Sequence, residues 1–348
     1  MTIKLFKDYA YIDSLKKELE GKLIDLMVDS FHEHNSFTYN MDEDVNNIQR
    51  LYNLMTRVNE NEEQEEFDPY SHLTKREELI ETEDCLLRFG DSNAKMKKLD
   101  IIYFSLPAGY TCPFANICKS FAHKTGGKFK SNDKSIKDEG DIRCYAASTE
   151  VIYRKARENR WRNLDLINKF KTVDEIADLI ARSIHYYEYT HKKISILRMH
   201  ESGDFYNQKY FDAWVKVAKE RTDILFYGYT KAIPFLVKRY NDLPKNFRLI
   251  GSVGGKNDDL LFNHPEIRKV YIVDSEEEAR EKRLRIDIND FLAIGGEEDF
   301  ALLLHGIQSP ESGKSTLARK NSLLTKNKSK VFKTDRQIIK KLAQKYTS

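Results

Sequence analysis

The sequence predicts an α/β fold built on a parallel sheet, and three observations lead to that prediction. From about residue 98, short apolar runs typical of strands alternate with longer segments of helical pattern. Helices of that length can serve as the right-handed crossovers that parallel strands need. A hydrophobic share of 40% and a charged share of 32% are typical of a globular protein. The six strand-like runs fit either an open doubly wound sheet or a partial (β/α) barrel.

The elements follow one another along the chain. The strands are predicted at residues 101–106, 194–199, 224–229, 247–253, 269–273 and 300–304. The helices between them are predicted at residues 145–162, 173–190, 207–221, 232–242 and 275–284. Each strand is a short and largely apolar run, which favours a parallel sheet.

An acidic segment precedes this core, which is expected to span residues 91–310. Residues 1–90 are predicted to form a helical appendage, because apolar residues recur at steps of three and four between Ile12 and Met27. Residues 42–84 hold 14 acidic and 4 basic side chains, so the appendage is also strongly negative.

A basic segment follows the core. Residues 311–348 are predicted to form a tail that ends in a basic helix, and from residue 313 onward they hold 11 basic side chains and one acidic one. The tail could bind nucleic acid through its phosphates, rest on the acidic N-terminal segment, or simply be solvated.

The chain is expected to work in the cytoplasm. It contains no run of about 18 apolar residues, the length needed for a transmembrane helix. The first residues, MTIKLFKDYAYID, lack the continuous apolar segment and the cleavage site of a signal peptide.

Three of the four cysteines predict a metal site. Cys112, Cys118 and Cys144 follow the first predicted strand, and functional residues of parallel α/β proteins lie on such loops. Thiolates are soft ligands for zinc or iron–sulfur clusters, and three ligands leave one coordination position open. The alternative is three buried free thiols. His123 could be a fourth ligand and would then favour zinc, whereas Cys85, beside apolar residues, is expected to pack.

The second strand ends in RMHESGDF, which predicts acid–base or hydrogen-bonding groups at the same edge of the sheet. We expect His200 to face a ligand and Gly203 to let the backbone approach one closely. The alternative is a capping turn, with Ser202 or Asp204 as the N-cap of the next helix. The reactive side chains of this segment are Arg198, His200, Glu201, Ser202 and Asp204.

The later strand ends also carry polar residues. Lys231 could hold a carboxylate or phosphate, or it could be a solvated lysine at the start of a helix. The GSVGG turn could approach a phosphate or cofactor, although a plain loop is the simpler interpretation. The residues at these ends are Tyr229, Thr230, Lys231, Ser252, Gly254, Gly255, His305 and Gln308.

Several motifs occur in a fixed order along the chain: RFGDSNAKMKK, FSLPAGYTCPFANIC, CYA, RMHESGDF, FYGYTK and FALLLHGIQ. Together they resemble the bacteriophage gene-product-88 family over roughly residues 88–310. The arrangement of that family is itself similar to radical S-adenosylmethionine proteins. The resemblance therefore implies a partial (β/α) barrel, and host cytoplasm as the location if a phage encodes the chain.

The same resemblance implies a cofactor and its ligands. A [4Fe–4S] cluster would be held by Cys112, Cys118 and Cys144, and S-adenosylmethionine would bind its open iron. The catalytic positions implied are His200, Glu201, Asp204 and Lys231. The residues implied to face cofactor or substrate are Ser202, Gly203, Tyr229, Thr230 and Ser252.

The cysteine spacing departs from that of the radical enzymes, whose cysteines lie closer together. Five residues separate Cys112 from Cys118, and 25 separate Cys118 from Cys144. The insertion at 119–143 is rich in lysine and lacks hydrophobic periodicity, so we expect a flexible loop.

Three functions follow from these patterns. The first is a radical-type iron–sulfur enzyme with an unknown substrate, for which a nucleic acid or nucleotide is a candidate. The second is a non-enzymatic phage protein with a structural cluster or zinc, which binds nucleic acid through residues 313–348 and the lysines of the insertion: Lys119, Lys124, Lys128, Lys130, Lys134 and Lys137. The third and weakest is a hydrolase or nuclease with a hard metal on His200, Glu201, Asp204 and His305.

Overall fold

The computed structural model describes residues 84–124, 136–309, 312–328 and 333–347. By its internal contacts the chain separates into two compact units, Met1–Glu81 and Thr82–Ser348. The described residues all belong to the second unit. The predicted helical appendage at residues 1–90 lies almost wholly outside them and stays a prediction.

The described residues form strands and helices in the alternation that the sequence predicts. The strands are β1 Ile102–Ser105, β2 Ser120–Ala122, β3 Ile136–Asp138, β4 Ile196–Ser202, β5 Leu225–Thr230, β6 Phe247–Ser252, β7 Lys269–Val273, β8 Arg285–Ile286 and β9 Phe300–Leu303. The helices are α1 Ala94–Leu99, α2 Tyr145–Ile152, α3 Arg154–Ile167, α4 Val173–Thr190, α5 Gln208–Glu220, α6 Ile233–Arg239, α7 Asp258–Phe262, α8 Glu276–Glu281, α9 Phe291–Gly295, α10 Ser315–Lys328 and α11 Lys333–Gln344.

Seven strands form one sheet in the order β1-β4-β5-β6-β7-β9-β8, and every neighbouring pair is parallel. The parallel α/β prediction is confirmed. The order rises from β1 to β7 without a reversal, whereas a doubly wound sheet reverses at a switch point. Strands β1 and β8 are the two edges of the sheet, so it is not a closed barrel.

Hydrophobic side chains cover both faces of this sheet. On one face, Leu197 and Met199 of β4 pack with Trp214 of α5 in the largest core cluster. On the other face, called here the inner face, Ile196 and Leu225 pack with side chains of α1, α9 and α11. Neighbouring residues of one strand thus enter different cores, as the two-residue period of a strand requires.

The predicted helices are found, with one correction. Helix α4 has the predicted bounds and begins with a capping box, in which Thr172 and Glu175 bond to each other's backbone amides. The single helix predicted at 145–162 is wrong. Tyr153 adopts an extended conformation (φ −111°, ψ 99°) and divides that segment into α2 and α3.

The described ends of the lysine-rich insertion are not a flexible loop. Strands β2 and β3, near the two ends of the insertion, pair antiparallel and form a small two-stranded sheet. Lys119 and Lys137 both pair with Glu139, and Lys124 pairs with Asp165 at 2.9 Å. Lys128, Lys130 and Lys134 lie outside the described residues.

The predicted tail belongs to the same compact unit as the sheet. Its basic helix is confirmed as α11, in which Ile339 and Ala343 are buried in the inner-face core. Arg336 and Lys340 of this helix both pair with Asp100, the residue that ends α1. The tail therefore packs against the sheet unit and is more than a solvated end.

Candidate metal centre at the carboxyl edge of the sheet

The loop that carries Cys112 and Cys118 is fixed to the carboxyl ends of two strands. The Leu106 amide donates to the Ser202 carbonyl of β4 at 2.8 Å. The Ile117 amide donates to the Gly254 carbonyl, just after β6, at 3.1 Å. Residues 106–119, called here the cysteine loop, thus cross the edge of the sheet at which parallel α/β proteins place their functional groups.

Cys144 reaches the same edge from the start of α2. Its amide donates to the Ser120 hydroxyl at 3.0 Å, which fixes it against β2. The Gln308 side chain accepts from the Arg143 amide at 2.9 Å and donates to the Arg143 carbonyl at 3.1 Å. Gln308, expected from its position after the last strand to belong to the site, therefore positions the residue before Cys144.

The three thiols interact electrostatically. Burial, then Asp204, and then Cys144 and Cys118 raise the pKa of the Cys112 thiol well above its usual value. Burial and then Cys118 raise the pKa of Cys144 to about 12, against the amides of Ala147 and Ala146, which lower it. Cys112 thus interacts electrostatically with Cys118 and Cys144, and burial favours the neutral form of the Cys112 and Cys144 thiols.

A cluster and a single ion make different demands on the spacing of their ligands. Within the described ranges, no group of three or more His, Cys, Asp or Glu side chains could hold a metal ion. Four irons and four sulfides form a body much larger than one ion, so a cluster needs its ligand sulfurs further apart. The amides at the start of α2, directed at Cys144, would stabilise the thiolate that such a ligand requires.

Cys85 does not pack as expected. It is exposed, whereas the next two residues, Leu86 and Leu87, are buried in the core. His123 is also exposed, and within the described part of the chain no contact joins it to a cysteine.

Glu201 is held by other protein groups and does not face a ligand, contrary to expectation. Its carboxylate accepts from Arg160 at 2.8 Å and from the Ser105 hydroxyl at 3.2 Å. Arg160 also donates to Glu150 at 3.1 Å, and Glu150 in turn accepts from the Ala108 amide of the cysteine loop at 2.8 Å. This ion triad of Arg160, Glu150 and Glu201 ties the cysteine loop to α2, α3 and β4.

The sequence analysis missed Glu150 and Arg160. The signal for Glu150 was a single carboxylate in the otherwise apolar or small-residue run CYAASTEVI. The residue is fully buried, and burial raises the pKa of its carboxyl although Arg160 and the Ala108 amide lower it.

His200 points into the hydrophobic core and away from the site. It has a left-handed backbone (φ 57°), at the point where the β1–β4 register shifts. Its ring packs edge-on against Phe205 with centroids 4.4 Å apart, and Nε2 lies 2.9 Å from the Tyr210 hydroxyl. Burial lowers the pKa of His200 to about 3, so the ring is neutral.

Asp204 remains the predicted acid nearest the cysteines, since its charge acts on Cys112. One carboxylate oxygen accepts from the Thr230 hydroxyl at 2.6 Å and the other from the Lys231 amide at 2.8 Å. Burial raises the pKa of Asp204 to about 6, against these hydrogen bonds. Asp204 and Thr230 thus join the ends of β4 and β5 beside the cysteine loop.

Lys231 was expected to hold an anion, but its ammonium is already occupied by other groups of the protein. Its ammonium donates to the Ser252 hydroxyl at 2.6 Å, to the Ser252 carbonyl at 3.3 Å and to the Val253 carbonyl at 2.9 Å. Three acceptors match the three N–H groups of a lysine. Lys231 and Ser252 therefore join the ends of β5 and β6.

The two glycine turns are shaped by the protein itself. Gly203 (φ +84°) lies so close to the cysteine loop that a Cβ there would be 2.5 Å from Thr111 Oγ1 and 2.8 Å from Leu106 Cβ. The amides of Gly254 and Gly255 both donate to the Asp258 carboxylate at 2.8 Å. The cysteine loop thus packs closely against Gly203, and the Asp258 carboxylate binds the amides of Gly254 and Gly255.

The prediction that Ser202 or Asp204 is the N-cap of α5 is wrong. Asn207, whose side chain accepts from the Tyr210 amide at 2.9 Å, is the N-cap of α5. Ser202 instead donates to Glu150 at 3.4 Å, which adds it to the ion triad's surroundings.

The inner face carries a polar cluster centred on Asp290, which the sequence analysis did not find. Asp290 accepts from Lys95 at 3.2 Å, from the Tyr227 hydroxyl at 3.1 Å and from the Tyr229 hydroxyl at 3.4 Å. Arg198 lies 3.7 Å from the same carboxylate and 5.0 Å from the centre of the Tyr229 ring.

His305 is exposed and adjoins the cysteine site through Tyr145, whose ring centre lies 5.2 Å away. With His200 in the core and Glu201 on Arg160, the hard-metal arrangement predicted for His200, Glu201, Asp204 and His305 is not formed. No described helix is long and apolar enough to cross a membrane.

Comparisons with known proteins agree on one family. The family described as Gene product 88 matches residues 73–323 of the chain. The Gene 88 protein of Mycobacterium phage D29 is 24% identical over 119 residues, and that of Mycobacterium phage L5 is 26% identical over 121 residues. Each match covers 34% of this chain and 50% of the relative, so the chain spans about half the length of these curated relatives. No solved structure matches the chain. Because the family match extends over more than half of its residues, the chain belongs to the Gene product 88 family.

Proposed function

We propose that this chain is an iron–sulfur protein of the radical S-adenosylmethionine type, with a [4Fe–4S] cluster on Cys112, Cys118 and Cys144. The proposal is carried by three cysteines, distant in sequence, whose segments are hydrogen-bonded at the carboxyl edge of a parallel sheet and whose thiols interact electrostatically. Its substrate is unidentified, and a nucleic acid or nucleotide is the class we expect.

The sheet supports this proposal. The strand order rises from β1 to β7 as in a (β/α) barrel and then ends in β9 and β8, and this open sheet is consistent with the partial barrel that we propose. The cysteine loop follows the first strand, as in the radical enzymes that the family resembles. When bound, the cluster would supply an electron to S-adenosylmethionine at its open iron.

The residues of the chain then have defined tasks. Arg160, Glu150 and Glu201 hold the cysteine loop on its helices and strand. Asp204 places a carboxyl beside Cys112 and joins the loop's surroundings to β5. These positioning groups keep the ligand thiols in place, as the supporting residues of a metal site do.

Purification without oxygen, followed by cluster reconstitution, tests the proposal. We expect a brown protein with about four irons and four sulfides per chain, the content of one such cluster. Cys118→Ala should lose the colour, whereas Cys85→Ala, which removes an exposed cysteine outside the site, should keep it. A protein that stays colourless and binds zinc after reconstitution would refute the cluster. Absence of any spectral change on titration with S-adenosylmethionine would refute the cofactor alone.

A specific surface favours a second function, a non-enzymatic nucleic-acid-binding protein with a structural metal. Tyr110 is 47% exposed, and its ring centre lies 4.7 Å from that of Trp161. The Lys124 ammonium lies 4.6 Å from the Trp161 ring centre. Aromatic rings beside cations are the usual platform for single-stranded nucleic acid.

Binding of a labelled single-stranded oligonucleotide at two salt concentrations separates the two functions. Salt-dependent binding that weakens in Tyr110→Ala, in a protein without iron, would support the second and refute the first. Deletion of the tail is a poor test, because α11 forms part of the inner-face core.

A further inference from the structure

Arg198 is a buried arginine whose guanidinium donates no hydrogen bond to the described residues. The residue is 9% exposed and lies on β4, on the inner face of the sheet. Its Nε is buried without a partner, and among the described residues no acceptor lies within hydrogen-bond distance of the guanidinium. The nearest carboxylate oxygen, on Asp290, is 3.7 Å from Nη1.

This arrangement is unusual because a guanidinium carries five N–H donors and a buried charge is costly without partners. Arg160, buried to a similar degree, shows the ordinary solution. It donates to the Ala146 carbonyl, to Glu150 and to Glu201. Nothing comparable satisfies Arg198, so its donors are available to a ligand.

Known groups occupy two sides of the Arg198 guanidinium. Asp290 lies on the Nη1 side, and its carboxylate is already occupied by Lys95, Tyr227 and Tyr229. The Tyr229 ring lies beside the guanidinium, 5.0 Å from its carbon, which favours the cation and limits its movement. The edge formed by Nε and Nη2 is left, and it has the fork geometry that two oxygens of one anion can occupy.

Arg198 lies near residues that adjoin the cysteine site. Tyr145, the residue after Cys144, interacts electrostatically with Arg198. His305, which packs against Tyr145, also feels the charge of Arg198 and is exposed. A ligand bound at Arg198 would therefore lie near Tyr145 and His305, beside the cysteine site.

We propose that Arg198 binds an oxyanion, the carboxylate or phosphate of a small ligand, on the inner face of the sheet. The anion is held by the Nε–Nη2 edge, and Asp290 with Lys95 keeps the guanidinium in position from the other side. That the anion belongs to the substrate rests on the proposed function. The binding of the anion does not, because it involves no cysteine.

The test is a thermal melt of the full chain in sodium phosphate, in sodium succinate and in sodium chloride at matched ionic strength. It is run on the protein both before and after cluster reconstitution. We expect the melting temperature of the wild type to rise with phosphate or with succinate relative to chloride, and the effective anion identifies the ligand's acidic group. Arg198→Gln should weaken the fitted affinity by about tenfold or more, the loss expected for hydrogen bonds to a charged group. Arg154→Gln, the same change at a side chain that is 81% exposed, should match the wild type.

A second readout separates a binding residue from a structural one. Without added anion, Arg198→Gln should melt near the wild-type temperature, because removing a buried charge that lacks hydrogen bonds offsets the loss of its 3.7 Å pairing with Asp290. The proposal is overturned if neither anion shifts the wild type, if Arg198→Gln responds like the wild type, or if both Arg198→Gln and Arg198→Lys melt well below it. A colourless protein that still binds phosphate through Arg198 would refute the cluster and leave the anion site standing.

Discussion

Arg160 of α3 and Glu201 of β4 form an ion pair of 2.8 Å beneath the cysteine loop, with exposed side-chain fractions of only 4% and 9%. Removing Arg160 would leave two buried carboxylates, Glu201 and Glu150, without their shared cation. We therefore expect Arg160→Met to lower the free energy of unfolding by about 3 kcal/mol or more in urea denaturation. Arg154→Met breaks only an exposed pair with Glu158, so it should leave the free energy of unfolding unchanged within error. Equal effects of the two substitutions would show that the buried triad does not stabilise the fold.

Gly203→Ala should disturb the cysteine loop. The new methyl group would lie 2.5 Å from Thr111 Oγ1 and 2.8 Å from Leu106 Cβ, in a backbone with φ +84°. We expect the free energy of unfolding to fall by about 2 kcal/mol or more. Gly313→Ala is the matched control, because that glycine also has positive φ (+66°) but nothing within 4 Å, and it should cost about 1 kcal/mol. Equal losses would mean that crowding against the loop is unimportant.

His200 should make the protein sensitive to mild acid. Its pKa is lowered by burial to about 3, so the folded protein binds fewer protons than the unfolded chain between pH 6.5 and 3. Its contribution to stability is therefore lost as the pH falls through 6.5. Urea midpoints at pH 7, 6 and 5 should show the gap between wild type and His200→Asn narrowing by about 2 kcal/mol at pH 5. Asparagine tolerates the left-handed backbone, and His191→Asn is the control. A gap that is constant with pH would contradict a neutral buried ring.

Asp100 should also lose its stabilising effect in acid, but at a lower pH than His200. Burial would raise its pKa, but hydrogen bonds from Lys192 and Arg336 lower it to about 2. Its stabilisation is then complete above the unfolded value near 3.8 and is lost as the pH falls through 2. We expect Asp100→Asn to cost about 1 kcal/mol at pH 7, a value reduced for solvent screening, and the cost to vanish near pH 2. Asp165→Asn, which removes an exposed partner of Lys124, is the control. A cost that persists at pH 2 would show that the charge of Asp100 is not its source.

The sequence predicts the framework well where one physical signal dominates. Helix α4 has its predicted bounds because strong amphipathic periodicity coincides with the Thr172 capping box. The cysteine site was predicted because loops after parallel strands meet at one edge. Strand β8 was missed, since Arg285 and Ile286 lie in a charged segment without an apolar run.

The roles of single side chains were harder to predict. The position of His200 at the end of the second predicted strand indicates a site residue. Its left-handed backbone turns the side chain into the core, and nothing in a non-glycine residue signals that change. Lys231 looked free because its three acceptors come from β6, which is distant in sequence. Arg198 is one reactive residue among several in RMHESGDF, and its unpaired, buried Nε cannot be seen in the sequence.

The hydrogen bonds between the Gln308 side chain and the Arg143 backbone can form only after both residues have been synthesised. The two residues lie 165 positions apart, and the second arrives only with the last strand of the sheet. While the ribosome is still making the middle of the chain, Cys144 has no such anchor. The residue before Cys144 therefore gains these hydrogen bonds only after the last strand of the sheet has been made.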